Sequence, residues 1–172
     1  MVGIFFLKTM LQRIQTIYLL IATVISVLLL IMPIYYVNLI GDDTISGIFG
    51  AYGLQSEASE NINLPLYLVF ILMAMLSIIA IFSFKKRSKQ LLFCRLNLLL
   101  QILVGLGFLA FSFFGKDMLK DKFVELGYPI DSIEFSFGLG YFLLFMGIPF
   151  IILAINGIKR DENLLKSLER LR

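Results

Sequence analysis

The sequence predicts an all-α integral membrane protein: a four-helix bundle with both termini on the cytoplasmic side and short amphipathic helices outside the spans. Three observations predict it. Hydrophobic residues make up 59% of the 172, where a soluble domain carries about 45–50%, and the excess has to face lipid. The apolar residues gather in four long runs, and a bilayer core about 30 Å thick is crossed by about 20 helical residues. Between the runs the charge alternates, basic then acidic. The length fits one domain, so residues 1–172 read as a single membrane unit.

Residues Met1 to Arg13 form a short apolar leader with cations at Lys8 and Arg13, and Met10 is an alternative start. The first span is read over 14–40, which exceeds the h-region of about 7–15 residues that a signal peptide carries. Pro33 cannot donate to the carbonyl of Leu29, so a kink or an early helix end is expected there. Residues 41–65 read as an outer loop. It holds Asp42, Asp43, Glu57 and Glu60, no cation, and four breaking glycines. Its apolar side chains, Ile48, Phe49, Tyr52 and Leu54 among them, predict packing on the membrane surface or on a partner.

Pro65 suits the first turn of a helix, and the second span is read over 66–84. Residues 85–90 form a cytoplasmic loop, and the third span covers 91–114. In the second outer loop, 115–134, the stretch from Lys116 to Leu126 reads as a short amphipathic helix with Met118, Leu119, Phe123 and Leu126 near one face. Gly127-Tyr128-Pro129 stops it. The fourth span is read over 135–158, with packing glycines at Gly138, Gly140 and Gly147 and a kink at Pro149. Residues 159–172 are an amphipathic cytoplasmic tail.

Charge orients these segments. The N-terminal segment has two cations and no acid. The central loop, taken with Arg95, has five cations and no acid, and the tail has five cations against three acids. The two outer loops together carry three cations and nine acids. Cytoplasmic loops carry the Lys/Arg excess, so the termini and the Lys85-Lys86-Arg87-Ser88-Lys89 cluster lie inside. The cluster is too short and too poor in aromatics for nucleic acid. Arg13, Lys85, Lys86, Arg87, Lys89, Arg170 and Arg172 are instead the expected contacts for anionic lipid or for a partner.

Within the spans, Asn97 and Gln101 share one helix face at i, i+4 and are the candidate intramembrane polar contacts. Amides at that depth mostly bond between helices. Gln12, Gln15, Thr16, Thr23 and Ser26 on the first helix are read as packing or head-group contacts. No Asp, Glu, Lys or Arg lies deep in a span, which disfavours ion-coupled transporters and proton relays. There is no histidine, the commonest general base near neutral pH. The lone Cys94 allows neither a disulfide nor a multi-thiolate metal site, and it reads as a packing residue. No cofactor, metal or catalytic residue is expected. The acids Asp42, Asp43, Asp131 and Glu134 are read as solvated loops rather than as a metal site.

The opening Met10-Leu11-Gln12-Arg13-Ile14-Gln15-Thr16-Ile17-Tyr18-Leu19-Leu20 belongs with the ending Ile158-Lys159-Arg160-Asp161-Glu162-Asn163-Leu164-Leu165-Lys166-Ser167 and Glu169-Arg170-Leu171-Arg172. Together they resemble a family of small four-span bacterial inner-membrane proteins known as a domain of unknown function. The resemblance covers the chain from Met10 onward and implies a multi-pass protein of the bacterial inner membrane. It brings no catalytic residue. An arginine that the family pattern carries near Asn156-Gly157 is missing here.

The expected function is a non-enzymatic accessory or scaffold subunit of a larger inner-membrane complex, with protein export or envelope biogenesis as the host. The alternative is a small oligomeric transporter or channel built around Asn97 and Gln101. The expected partners are other integral membrane proteins and anionic lipids.

Overall fold

A computed structural model describes residues 2–41, 45–56, 61–125 and 130–170. It is mostly helical, and three helices are long and apolar enough to cross a membrane: Tyr67–Lys85, Arg87–Glu125 and Leu139–Leu164. A fourth helix, α1 (Val2–Leu28), packs with them and carries a shorter apolar stretch, Ile14–Leu28. The all-α reading fails in one respect, because a five-stranded antiparallel sheet caps one end of the helices.

The sheet takes four strands from the first connection and one from the second. They are β1 (Tyr35–Gly41), β2 (Ile45–Gly50), β3 (Gly53–Ser56), β4 (Ile62–Asn63) and β5 (Ile130–Phe137), in the spatial order β4-β3-β2-β1-β5. β1 lies inside the sheet, next to the edge strand β5, and pairs antiparallel with both neighbours, Tyr36 facing Ile48 on one side and Ser136 on the other. Gly53 closes the β2–β3 turn at φ +98°, a backbone region open mainly to glycine.

The structure corrects four readings. The apolar run 14–40 is not one span. The helix ends at Leu28, and Leu30 and Ile31 donate three residues back to Val27 and Leu28 in a tightened last turn. After Pro33 the chain extends, and Ile34 donates to the Phe49 carbonyl at 2.9 Å. The residues Tyr35-Tyr36-Val37 are aromatic and β-branched and favour a strand. The run looks continuous because β1, flanked on both sides in the sheet, buries Tyr35, Val37 and Leu39 on its inner face. The loop 41–65 holds β2, β3 and β4 rather than irregular backbone. The start of the fourth span, 135–137, belongs to β5.

The fourth correction concerns helix ends. The amphipathic stretch from Lys116 is not a separate helix but the last turns of α3 (Arg87–Glu125). No proline intervenes, so the helix continues. At about 1.5 Å per residue it runs roughly 58 Å, close to twice the thickness of a bilayer core. Leu119 and Phe123 of this extension are buried under the sheet, whereas Met118 is exposed and Leu126 lies outside the described residues. Likewise α4 (Leu139–Arg170) runs through Pro149 and takes in the tail. The second span, α2 (Tyr67–Phe82), matches its expected range closely. A 3-10 turn at Ser83–Lys85 and the single residue Lys86 then lead into α3, so the loop read over 85–90 is nearly all helical.

Packing falls into layers. The inner face of the sheet and the nearby helix ends share one core, with Leu29, Tyr35, Val37, Phe49, Phe70, Phe108 and Leu144 at its centre. Toward the other end of the bundle a second apolar layer forms from Leu19, Ala80, Leu91, Cys94, Ile151 and Ile158. Cys94 is therefore the packing residue expected.

Candidate functional site

Between the two apolar layers lies a belt of buried polar side chains from three helices. Ser77 on α2 and Asn97 and Gln101 on α3 belong to turns between the layers, and Ser26 on α1 stands beside Ile25 at the edge of the sheet-side core. The expected face of Asn97 and Gln101 does point inward. Asn97 Nδ2 donates to Ser77 Oγ at 2.6 Å, and Gln101 Nε2 donates to the Leu144 carbonyl of α4 at 2.8 Å. Gly147 makes the second contact possible, because a Cβ there would fall on the Gln101 amide. Thr23 and Ser26 donate to the carbonyls four residues back, Leu19 and Ala22. Asn97 Oδ1 is buried with no hydrogen-bond partner.

The belt thus joins α2 to α3 and α3 to α4, and its donors are spent on protein acceptors. Hydrogen bonds between helices in a membrane contribute about 0.6–2 kcal/mol each. Replacing both Asn97 and Gln101 with leucine is therefore expected to lower stability by about 1–4 kcal/mol on that scale, with the fold kept. Detergent unfolding of the full chain measures the stability. Loss of a solute-uptake phenotype in a well-folded double variant would instead make the belt a pathway.

The sheet end is aromatic. Tyr35, the first residue of β1, has the rings of Phe49, Phe108, Phe135 and Tyr141 at 5.6–6.4 Å, and its hydroxyl donates to the Phe108 carbonyl at 2.7 Å. Burial, reinforced by the neighbouring Tyr141 phenol, pushes the Tyr35 phenol well above its ordinary value, and a bond to Ser112 opposes the shift. On the extension of α3, Lys120 donates to the Asp131 carbonyl at 2.7 Å and Lys116 lies over the Phe135 ring. Both tie α3 to β5.

The outward face of the sheet carries Tyr36, Asn38, Ile48 and Gln55, which line a hollow of about 410 Å³ with Ser46 and Ser56. The edges of the sheet are β4 and β5.

The basic end carries the remaining candidates. Lys85, Lys86 and Lys89 are exposed, as expected of surface contacts. Arg87 is not: its side chain is 18% exposed, and Nη1 lies 3.7 Å from Oδ2 of Asp161 on α4, itself 6% exposed. Gln15, read as a packing or head-group contact, is buried against Gly157. Sequence reasoning missed Asp161, Ser77 and Gln90 as buried polar groups. The helical spacing of Gln90, Cys94, Asn97 and Gln101 marks one inward face and was the available signal. The side chains of Arg13 and Arg170, and the whole of Arg172, lie outside the described residues. Among the described residues no three His, Cys, Asp or Glu side chains come together as metal ligands.

A family model described as Domain of unknown function (DUF4293) matches residues 11–171. The chain belongs to the DUF4293 family. No curated protein matches it. The match takes in all but Met10 and Arg172 of the two end stretches on which the sequence resemblance rests.

Proposed function

We propose that this DUF4293 protein is a four-span, non-enzymatic accessory subunit of a larger assembly in the bacterial inner membrane. Its sheet stands on the outer side, and its basic end and both termini stand in the cytoplasm. The observation that carries the reading is the sheet. It is built from two separate connections and packed on the bundle by one face. Its other face offers Tyr36, Ile48 and the nearby Tyr52, all exposed, to a neighbour. Edge strands β4 and β5 offer unpaired backbone of the kind that accepts a partner strand. The orientation is supported by the Lys/Arg excess at the end away from the sheet. The non-enzymatic reading is supported by the absence of histidine and by the burial of the one thiol. The transport reading loses support because the Asn97 and Gln101 amides bond within the bundle. A protein-export or envelope-biogenesis complex is the proposed host.

Photo-crosslinking in cells, followed by mild-detergent purification and mass spectrometry, tests this. A crosslinker at Tyr36, Ile48 or Tyr52 is expected to capture one stoichiometric membrane-protein partner, and one at the lipid-facing Leu99 is not. Recovery of a lone monomer with no adduct at any sheet position would overturn the proposal.

A further inference from the structure

Where α2 begins, the neighbour of α3 changes from a helix to the sheet, and the step leaves an apolar groove of about 260 Å³. Leu103, Val104, Gly107, Phe108 and Phe111 line it from α3. Phe49 of β2, with Leu64 and Leu66 just ahead of α2, closes the other side. The fold holds these walls in place. Phe49 stacks on Phe111 at 4.8 Å, and Phe70 of α2 stacks on Phe108 at 6.4 Å. Leu64 donates to the Tyr52 carbonyl at 3.2 Å and Tyr67 to the Ala51 carbonyl at 2.8 Å, which ties the entry to α2 onto the sheet.

Gly107 is the residue that the packing does not explain. A glycine inside a helix is destabilising relative to alanine. A Cβ at Gly107 would meet nothing within 4 Å, so no close helix contact requires it. The missing side chain instead keeps the groove deep at its middle.

Three observations set the chemistry of an occupant. Every side chain lining the groove is apolar, so none offers a charge or a hydrogen bond. The groove also opens on a surface that faces hydrocarbon. It lies on a helix long and apolar enough to cross a membrane, beside the exposed strip Leu99, Leu103 and Leu106. The first charge beyond it is Lys116, five residues past Phe111 and roughly 7.5 Å along the helix. Finally, the groove does not suit a partner helix. Helices in membranes approach closely over small residues four apart, and at that spacing Gly107 stands between Leu103 and Phe111. A linear hydrocarbon chain is slim enough to lie against the glycine, where it gains carbon contacts that a bulkier neighbour cannot reach.

We propose that this groove seats one acyl chain of a membrane phospholipid, with the part of the chain nearest the head group beside Phe111. The assignment rests on the membrane-crossing reading of α3 and not on any partner of the sheet.

The test uses the full chain in vesicles of phosphatidylethanolamine and phosphatidylglycerol, doped with a phosphatidylglycerol that carries a diazirine in one acyl chain. Illumination attaches that chain to the residues it touches, and mass spectrometry of peptides maps the adducts. Val104 and Phe111 are less exposed than Leu99 and Leu106, so passing lipid labels them less. A seated chain labels them at least about threefold more, as a handful of added carbon contacts implies. Gly107→Leu fills the middle of the groove and should bring the labelling of Val104 and Phe111 below that of Leu99, with an unfolding midpoint that shows the fold is kept. Leu106→Phe, outside the groove, should leave the map unchanged. A phosphatidylcholine head group on the labelled lipid should also change nothing, because no charged side chain lines the groove.

A wild-type map that simply follows exposure overturns the proposal without recourse to a variant. So does undiminished labelling in a folded Gly107→Leu chain, or labelling that depends on the head group. A protein captured in cells by a crosslinker at Leu103 would give the groove to a polypeptide and overturn it too. These outcomes leave the sheet crosslinks untouched. Failure of the chain to enter vesicles at all would overturn both this proposal and the membrane reading beneath it.

Discussion

Replacing Tyr35 with alanine is expected to lower stability by about 3–5 kcal/mol, the range for deleting a buried aromatic side chain. Tyr35 is fully buried and is the meeting point of the sheet and the helices. Its ring stacks on Phe135 of β5 at 5.6 Å and approaches Phe49 of β2 at 6.4 Å. Its hydroxyl reaches α3 through the Phe108 carbonyl, and Tyr141 packs on it from α4. A cavity there detaches the cap rather than one contact, so proteolysis should reach the sheet before the spans. Tyr35→Phe keeps the ring and loses the bond to the Phe108 carbonyl, at a cost of about 1 kcal/mol.

The same pair of proteins gives a pH signature. The folded chain holds the Tyr35 phenol above its ordinary value of 10.0, mainly through burial. Above that pH the unfolded chain releases the proton and the folded chain does not, so stability falls as pH rises. The wild type should therefore lose more stability than Tyr35→Phe between pH 8 and pH 10.5, as read by the unfolding midpoint. Equal losses in the two proteins would show that the phenol is not buried.

The contrast between what was legible and what was not follows from solvent. Helices long and apolar enough to cross a membrane announce themselves by length and by lack of charge, so α2 and the apolar part of α3 fall where the apolar runs place them. The strands sit where that signal misleads. In β1 the inner face is apolar and the outer face is only partly polar, so Tyr35 to Ile40 extends an apolar run and reads as helix. The break at Pro33 and the following aromatic and β-branched residues were the local evidence for a strand. In β5 the signal was clear: Ile133, Phe135 and Phe137 alternate with Ser132, Glu134 and Ser136. The pairing of β5 with β1 was not legible, because 89 or more residues and two helices separate them in the chain. The polar belt was half legible. Asn97 and Gln101 were found by their shared face, but their acceptors, Ser77 and the Leu144 carbonyl, depend on how the helices pack. The Arg87–Asp161 pair looked like two surface charges, since nothing local in a sequence marks a long side chain that folds back into a helix seam.

Replacing Gly138 with valine is expected to cost at least about 3 kcal/mol. Overpacking alone costs about 1–3 kcal/mol, and a broken buried backbone bond adds about 1 kcal/mol. Gly138 joins β5 to α4 and lies against the backbone that joins α1 to β1. A Cβ there would meet the Pro33 carbonyl oxygen, with the Pro33 carbon at 2.9 Å and the Ile34 carbon at 3.2 Å. These are main-chain atoms and cannot rotate aside. The same approach carries two hydrogen bonds, Gly138 N to Ile34 O and Gly140 N to Pro33 O, each 2.8 Å. Pushing the two junctions apart therefore opens both bonds and the adjoining end of the β1–β5 ladder, where Tyr35 faces Phe137. Gly107 is the control. It lies inside α3 with open space around its Cα, so Gly107→Ala should be neutral or stabilising by up to about 1 kcal/mol through helix propensity alone. Unfolding midpoints of the two variants in one detergent test the contrast. If Gly138→Val were as stable as Gly107→Ala, the two junctions would not be in contact, and the sheet could not be seated on the bundle through Pro33.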